Sequence, residues 1–177
     1  VAMLREQMNV EVTQDDYKYK WEESTGKVVA IYSDAGFVDS ATGADNKAYG
    51  IILDRTNYYA EGGGQVSDIG TINDNFIVQS VKSYGGYVLH TGVFTGGDDA
   101  ASLKVGDTVN LKVDFTRRSP IASNQTTTHM LNFALRDVLG EKCDQKGSIV
   151  EPDRLRFAFS SDKAPTVDQL MQVEQLV

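Results

Sequence analysis

The side chains with the most chemical potential in this sequence lie between residues 122 and 159. Gln125 and His129 share one helical run, and Gln145 and Ser148 stand in Gln145-Lys146-Gly147-Ser148. Two side chains four apart point the same way on a helix, which is how a helix presents a pair of metal ligands. A histidine at position 125 would make half of a zinc site. The residue is glutamine, and a neutral carboxamide oxygen is a poor substitute for imidazole or thiolate. His90, the other histidine, stands in Leu89-His90-Thr91 without ligand spacing and reads as an ordinary strand residue. A metalloprotease helix would need glutamate directly after its first histidine, whereas Thr126 follows Gln125 here.

A second stretch runs from Asp54 to Asp68 and holds Gly62-Gly63-Gly64-Gln65. Consecutive glycines allow φ > 0 and a close approach of backbone to ligand; a tight turn between strands is the plainer reading. The stretch is not a P-loop, because no Gly-Lys-Ser/Thr ending follows. The net charge of −8 argues against a general polyanion-binding surface. The charge is uneven, however. Residues 1–111 carry eight basic and sixteen acidic groups, whereas residues 112–156 carry eight basic and six acidic groups. Arg117 and Arg118 are the best candidates for phosphate contacts in that second region, with surface salt bridges as the competing reading.

These groups need a scaffold. At 177 residues with 41% apolar and 24% charged side chains, the chain suits a soluble globular class, with one domain or two small subdomains. No apolar run approaches the roughly 20 residues that span a bilayer, so no membrane partner is expected. The single cysteine, Cys143, cannot form an internal disulfide. With no signal peptide in view, an intracellular, reducing setting is expected. Residues 1–24 read as a linker or the end of a preceding domain, and both chain ends read as truncations.

Residues 28–32, 48–53, 76–81, 87–91 and 109–114 are rich in β-branched and aromatic residues and are bounded by Gly, Asn and Asp. They predict a small antiparallel barrel or curled sheet over 25–116, with hairpin turns at Gly85-Gly86 and Gly96-Gly97. A helix is predicted over 123–139, capped by Asn124, with Met130, Phe133, Ala134 and Val138 toward the core and Gly140 as its stop. Residues 148–150 and 155–159 predict a strand pair, and 166–177 an amphipathic helix. The expected fold class is therefore α+β: a barrel-like subdomain followed by the first part of an α/β subdomain over 117–177.

In combination the motifs are recognisable. Asp54-Arg-Thr, Tyr59-Ala-Glu-Gly-Gly-Gly-Gln65, Arg117-Arg-Ser-Pro-Ile-Ala-Ser-Asn124, Thr128-His129, Gln145-Lys-Gly-Ser-Ile-Val150 and Asp153-Arg-Leu-Arg-Phe157 follow in one order. The series closely resembles the editing domain of alanyl-tRNA synthetase in its eukaryotic cytoplasmic style. It is similar also to free-standing alanyl-tRNA editing proteins and, more distantly, to threonyl-tRNA synthetase.

The resemblance implies a cytoplasmic enzyme that ligates alanine to tRNA and hydrolyses the ester of serine or glycine mischarged onto tRNA(Ala). An alanine pocket cannot firmly exclude a residue that differs by one small group, so a second, hydrolytic site is needed. It further implies that Gln145, Ser148 and Thr128 line the aminoacyl pocket. Thr126, Gly62, Gly63, Gly64, Gln65, Arg117 and Arg118 would then meet the acceptor end of the tRNA. For both threonines, helix-start capping is the alternative.

The family holds zinc with His-x-x-x-His and a later Cys-x-x-x-His. Position 125 is Gln, position 129 is His, and the later pair does not occur, so stable zinc binding by these residues alone is not expected. ATP and magnesium would belong to the parent's aminoacylation domain only. A non-catalytic tRNA-positioning module with a degenerate metal site is the alternative function.

Overall fold

The structure is a computed structural model that describes residues 1–97 and 101–177. It divides into two compact units, one comprising Val1–Glu61 with Ser67–Phe115, the other Gly62–Val66 with Thr116–Val177.

Among the described residues the first unit holds nine strands: β1 (Ser24–Ser33), β2 (Gly36–Val38), β3 (Ser40–Thr42), β4 (Ala48–Leu53), β5 (Gly70–Ile72), β6 (Phe76–Tyr84), β7 (Tyr87–Phe94), β8 (Ser102–Lys104) and β9 (Thr108–Val113). The order β1-β4-β7-β6-β5-β9 closes on itself because β9 also pairs with β1, and all of these pairings are antiparallel. Closure removes the sheet edges that an open sheet would leave unpaired. β2 extends β1, and β3 pairs with β8 as a separate ribbon.

Alternation puts Tyr49, Ile51 and Leu53 of β4, and Val109, Leu111 and Val113 of β9, into one buried cluster. Two bulges explain where alternation breaks. The register shifts between Val28 and Ala30 in β1 and between Val78 and Ser80 in β6. Val28 and Ile31, three apart, therefore both reach the core, as do Val78 and Val81, because the extra residue resets the face. Ala30, Ile52 and Tyr87 turn outward instead and are covered by Leu4 and Val10. Residues 10–14 continue as a strap over the barrel: the Tyr87 hydroxyl donates to Val10 O at 2.7 Å, and the Thr13 hydroxyl donates to Leu53 O at 2.9 Å.

The β6–β7 turn matches expectation, with Gly85 and Gly86 at φ +59° and +89°, the left-handed pair that a two-residue type I′ hairpin requires. Gly96-Gly97 does not close a hairpin, since β8 pairs with β3 rather than with β7. Strands β2, β3, β5 and β8, of three residues each, carried no visible pattern; they exist because neighbours supply their hydrogen bonds.

In the second unit, helix α1 spans Phe115–Leu139, eight residues longer than predicted at its start. Ser119-Pro120 reads as a boundary because proline disfavours helix for the preceding residue. Pro120 lies early in the helix, where its missing N–H forfeits only the bond to the Thr116 carbonyl. Asn124 is consequently mid-helix and not a cap.

The buried face also differs from the predicted one. Met130 and Phe133 are exposed, at 42% and 68%, while Ile121, Thr128 and Leu135, spaced by sevens, are buried with Ala134. Gly140, at φ +98°, ends α1 as expected. Strands β10 (Gln145–Val150) and β11 (Leu155–Phe159) form a hairpin, and α2 (Val167–Leu176) begins with a Thr166–Gln169 capping box. Ala134, Leu135, Cys143 and Val173 form the core of this unit, with Phe157 and Phe159 packed against it. Burial raises the Cys143 thiol above its ordinary pKa, which keeps it protonated and inert.

Candidate functional site

The glycine loop is a hairpin tip. Gly62 and Gln65 exchange both backbone bonds (3.2 and 3.0 Å), and between them Gly63 and Gly64 take φ of +60° and +85°. Only glycine takes that pair of angles without strain. The hairpin lies along the end of β10: Val150 N–H donates to Gly64 O at 2.7 Å, and Val66 N–H donates to Val150 O at 3.1 Å. An added Cβ on Gly64 would fall on the Ser148 hydroxyl and 2.5 Å from the Ser148 carbonyl oxygen. The glycine triplet thus serves both the turn and a close approach to another strand.

This contact brings the loop together with Gln145 and Ser148, which lie on the β10 strand rather than in a turn. A register shift between Gln145 and Gly147 bulges the strand there. Gln145 Nε2 donates to Ser148 Oγ at 3.2 Å, and Ser148 Oγ donates to Gly63 O at 3.3 Å. The Ser148 proton is therefore committed to a carbonyl, and no acid or base is bonded to this hydroxyl among the described residues. That arrangement suits a binding or orienting group, not an activated nucleophile. Gly63 and Gly64 are exposed, and their N–H groups donate to nothing among the described residues. Two adjacent unbonded amides on an exposed hairpin tip can receive an oxygen of a phosphate, ribose or ester.

Gln125 and His129 lie together on α1, with Gln125 Nε2 3.5 Å from His129 Nε2, at the outer limit of a hydrogen bond. Gln125 Oε1 is buried and has no partner among the described residues, so its acceptor capacity is left unsatisfied there. No group of three or more His, Cys, Asp or Glu converges among the described residues. The donors present, one imidazole and one carboxamide, do not fit a zinc site by themselves.

The threonines do not cap a helix start. Thr126, exposed, and Thr128, buried, each donate to the carbonyl four residues back, Ala122 at 3.2 Å and Asn124 at 2.8 Å. Gln65 is buried as well, and its backbone closes the hairpin with Gly62. Arg118 is only 4% exposed and lacks the solvent access a phosphate contact needs, while Arg117 is half-buried. His90 fills the barrel interior, Nδ1 to Ile51 O at 3.0 Å and Nε2 to the Thr56 hydroxyl at 2.8 Å. Burial lowers its pKa to about 4.

One polar contact had no sequence signal. Asn124 Nδ2 donates to Glu151 O at 2.8 Å, fastening α1 to the end of β10. Nothing local in an asparagine two residues before a threonine run announces a bond to a residue 27 positions away.

The family described as tRNA synthetases class II (A) matches residues 2–117. The chain belongs to that family. Within this class II family it is 46% identical over 175 residues to the cytoplasmic alanine–tRNA ligase of Dictyostelium discoideum, covering 96% of this chain and 18% of that protein. It is 44% identical over 168 residues to the mitochondrial alanine–tRNA ligase of Saccharomyces cerevisiae, covering 93% of this chain and 17% of the relative. It is 41% identical over 195 residues to the cytoplasmic alanine–tRNA ligase of Drosophila melanogaster, covering 99% and 19%. The chain thus spans less than a fifth of the length of these relatives. No helix among the described residues is long and apolar enough to cross a membrane.

Proposed function

We propose that this chain is the editing module of a cytoplasmic alanine–tRNA ligase, hydrolysing the ester that joins serine or glycine to the acceptor end of tRNA(Ala). The observation that carries the reading is the hairpin Gly62–Gln65 set against Gln145 and Ser148, with two unbonded amides at its exposed tip. The kinship to alanine–tRNA ligases over nearly the whole chain supports the same conclusion.

In this reading the Gly63 and Gly64 amides hold a phosphate or ribose oxygen of the terminal nucleotide. Gln145 offers its carboxamide to the aminoacyl group, and Ser148 holds Gln145 and the loop in place. His129 and Gln125 present an imidazole and an amide from α1. The described residues orient the ester and stabilise charge on its oxygen; zinc does not fit them, and no step is assigned to it. Activation of ATP with magnesium belongs to the aminoacylation part of the parent enzyme.

The test is deacylation of serine-mischarged tRNA(Ala) by the full-length enzyme that contains this chain. Release of serine, lost in Gln145→Ala, is the expected result; a full-length enzyme that binds this tRNA and leaves the ester intact would refute it. Glutamine at position 125 favours a second reading, a tRNA-positioning module without hydrolysis. Gln125→His separates the two. If the wild type is inactive and this substitution brings zinc binding and hydrolysis, the second reading stands; if the wild type hydrolyses, it falls.

A further inference from the structure

Residues 150 and 151 are a junction inside the second unit. Val150 is fully buried, and both of its backbone groups are bonded to the glycine hairpin, N–H to Gly64 O and O from Val66 N–H. The next carbonyl, Glu151 O, faces the other way and receives the Asn124 amide at 2.8 Å. The turn that follows is pinned twice, by Glu151 N–H to Arg154 O at 2.9 Å and by the Arg154 guanidinium on the Glu151 carboxylate at 2.6 Å. Asn124 is itself held, because its carbonyl accepts the hydroxyl of buried Thr128 at 2.8 Å. One stretch of α1 therefore carries Asn124, Gln125, Thr128 and His129, and among the described residues the single side-chain donor joining that stretch to the end of β10 is Asn124.

We infer that Asn124 is a positioning residue for ester hydrolysis, setting the α1 turn that bears Gln125 and His129 against the strand that holds the glycine hairpin. The inference rests on the editing reading for its functional part. Its physical part, a coupling between residue 124 and the hairpin through residues 150 and 151, stands without it. A side-chain amide suits this role because it is short, has no charge to desolvate, and offers a donor whose direction is set by two torsions. Removing the donor takes from Glu151 O its bond to α1, so that residue 151, and Val150 beside it, are held only by the β10–β11 turn and the glycine hairpin.

Two substitutions in the full-length enzyme test this. Asn124→Ala removes the donor, and Asn124→Asp replaces it with a carboxylate that repels the carbonyl until it is protonated. Amide hydrogen exchange at Val150 and Val66 should quicken by roughly tenfold in both variants, the size of one lost hydrogen bond. The kcat for serine release should fall by a similar factor, with KM for the tRNA unchanged. As pH is lowered through the range where the introduced carboxyl titrates, Asn124→Asp should recover relative to wild type and Asn124→Ala should not. The Glu151–Arg154 pair and His129 are common to both variants, so their titration cancels in that comparison. A purely structural role would lower the melting temperature and leave the kcat of the folded enzyme unchanged at temperatures well below it.

Unchanged exchange at both amides, an equal pH response of the two variants, or quickening spread as strongly over Ala134 and Leu135 in the helical core would overturn the inference. Should the wild-type enzyme release no serine, the editing reading fails, and the exchange measurements still decide the coupling.

Discussion

Alanine substitutions at Gly63 and Gly64 separate what the hairpin needs from its backbone and what it needs from its neighbour. Both positions have positive φ, +60° and +85°, so a Cβ at either costs roughly 1–2 kcal/mol of left-handed strain. At Gly63 that is the whole cost, since a Cβ there meets nothing within 4 Å. At Gly64 it would strike Ser148, with the carbonyl carbon at 2.9 Å and the carbonyl oxygen at 2.5 Å. The hairpin must then leave β10 and give up Val150 N–H to Gly64 O, Val66 N–H to Val150 O and Ser148 Oγ to Gly63 O. Each such bond is worth about 1 kcal/mol net, so Gly64→Ala should cost about 2–3 kcal/mol more than Gly63→Ala. The assay is hydrogen exchange at the Val150 and Val66 amides, where that difference appears as roughly 30- to 150-fold faster opening in Gly64→Ala. Equal exchange in the two variants would refute the reasoning, because it would mean that the hairpin is not clasped by β10.

Three further outcomes follow from named contacts. His90 has a folded pKa of about 4 against an ordinary 6.5, so between those values the unfolded chain binds a proton that the folded chain refuses. Stability is full above pH 6.5 and declines by about 3 kcal/mol as pH falls toward 4; urea melts should show a shallower decline in His90→Gln, and an identical slope would count against the assignment. The Tyr49 hydroxyl, 2.5 Å from Asp45 Oδ2, is the largest influence holding that carboxyl below its usual range. Tyr49→Phe should move the Asp45 titration, followed by NMR, up toward the ordinary aspartate value, and an unmoved titration would show that the hydroxyl is not its cause. Because Arg118 is buried, Arg118→Ala should act on stability, lowering it by about 2–4 kcal/mol in denaturant melts. A variant of unchanged stability with weakened tRNA binding would restore Arg118 as a phosphate contact.

The barrel was legible because five of its six strands are runs of five or more residues rich in β-branched and aromatic side chains and bounded by turn residues. β4 matches the predicted span and β1, β6, β7 and β9 contain or closely match theirs. What escaped was set by partners rather than by pattern. The three-residue strands have too few residues to show a period, and the start of α1 was obscured by Ser119-Pro120, a local signal outweighed by burial of Ile121. The helix face was misread at Met130 and Phe133 because those side chains are apolar, and only packing shows which apolar side chains are covered.

The candidate site divides along the same line. Residue types and their order determined the family resemblance and the chemistry on offer: one imidazole at His129, an amide at Gln125, and a glycine run able to adopt positive φ. Tertiary structure decided which groups are free to act. It committed the Ser148 proton to Gly63 O, buried Arg118 and Gln65, and turned Asn124 from a cap into a clamp on Glu151. The reason is that turn chemistry and strand period are local properties of the backbone. Burial and hydrogen-bond partnership depend on residues tens of positions away, and no short stretch of sequence contains them.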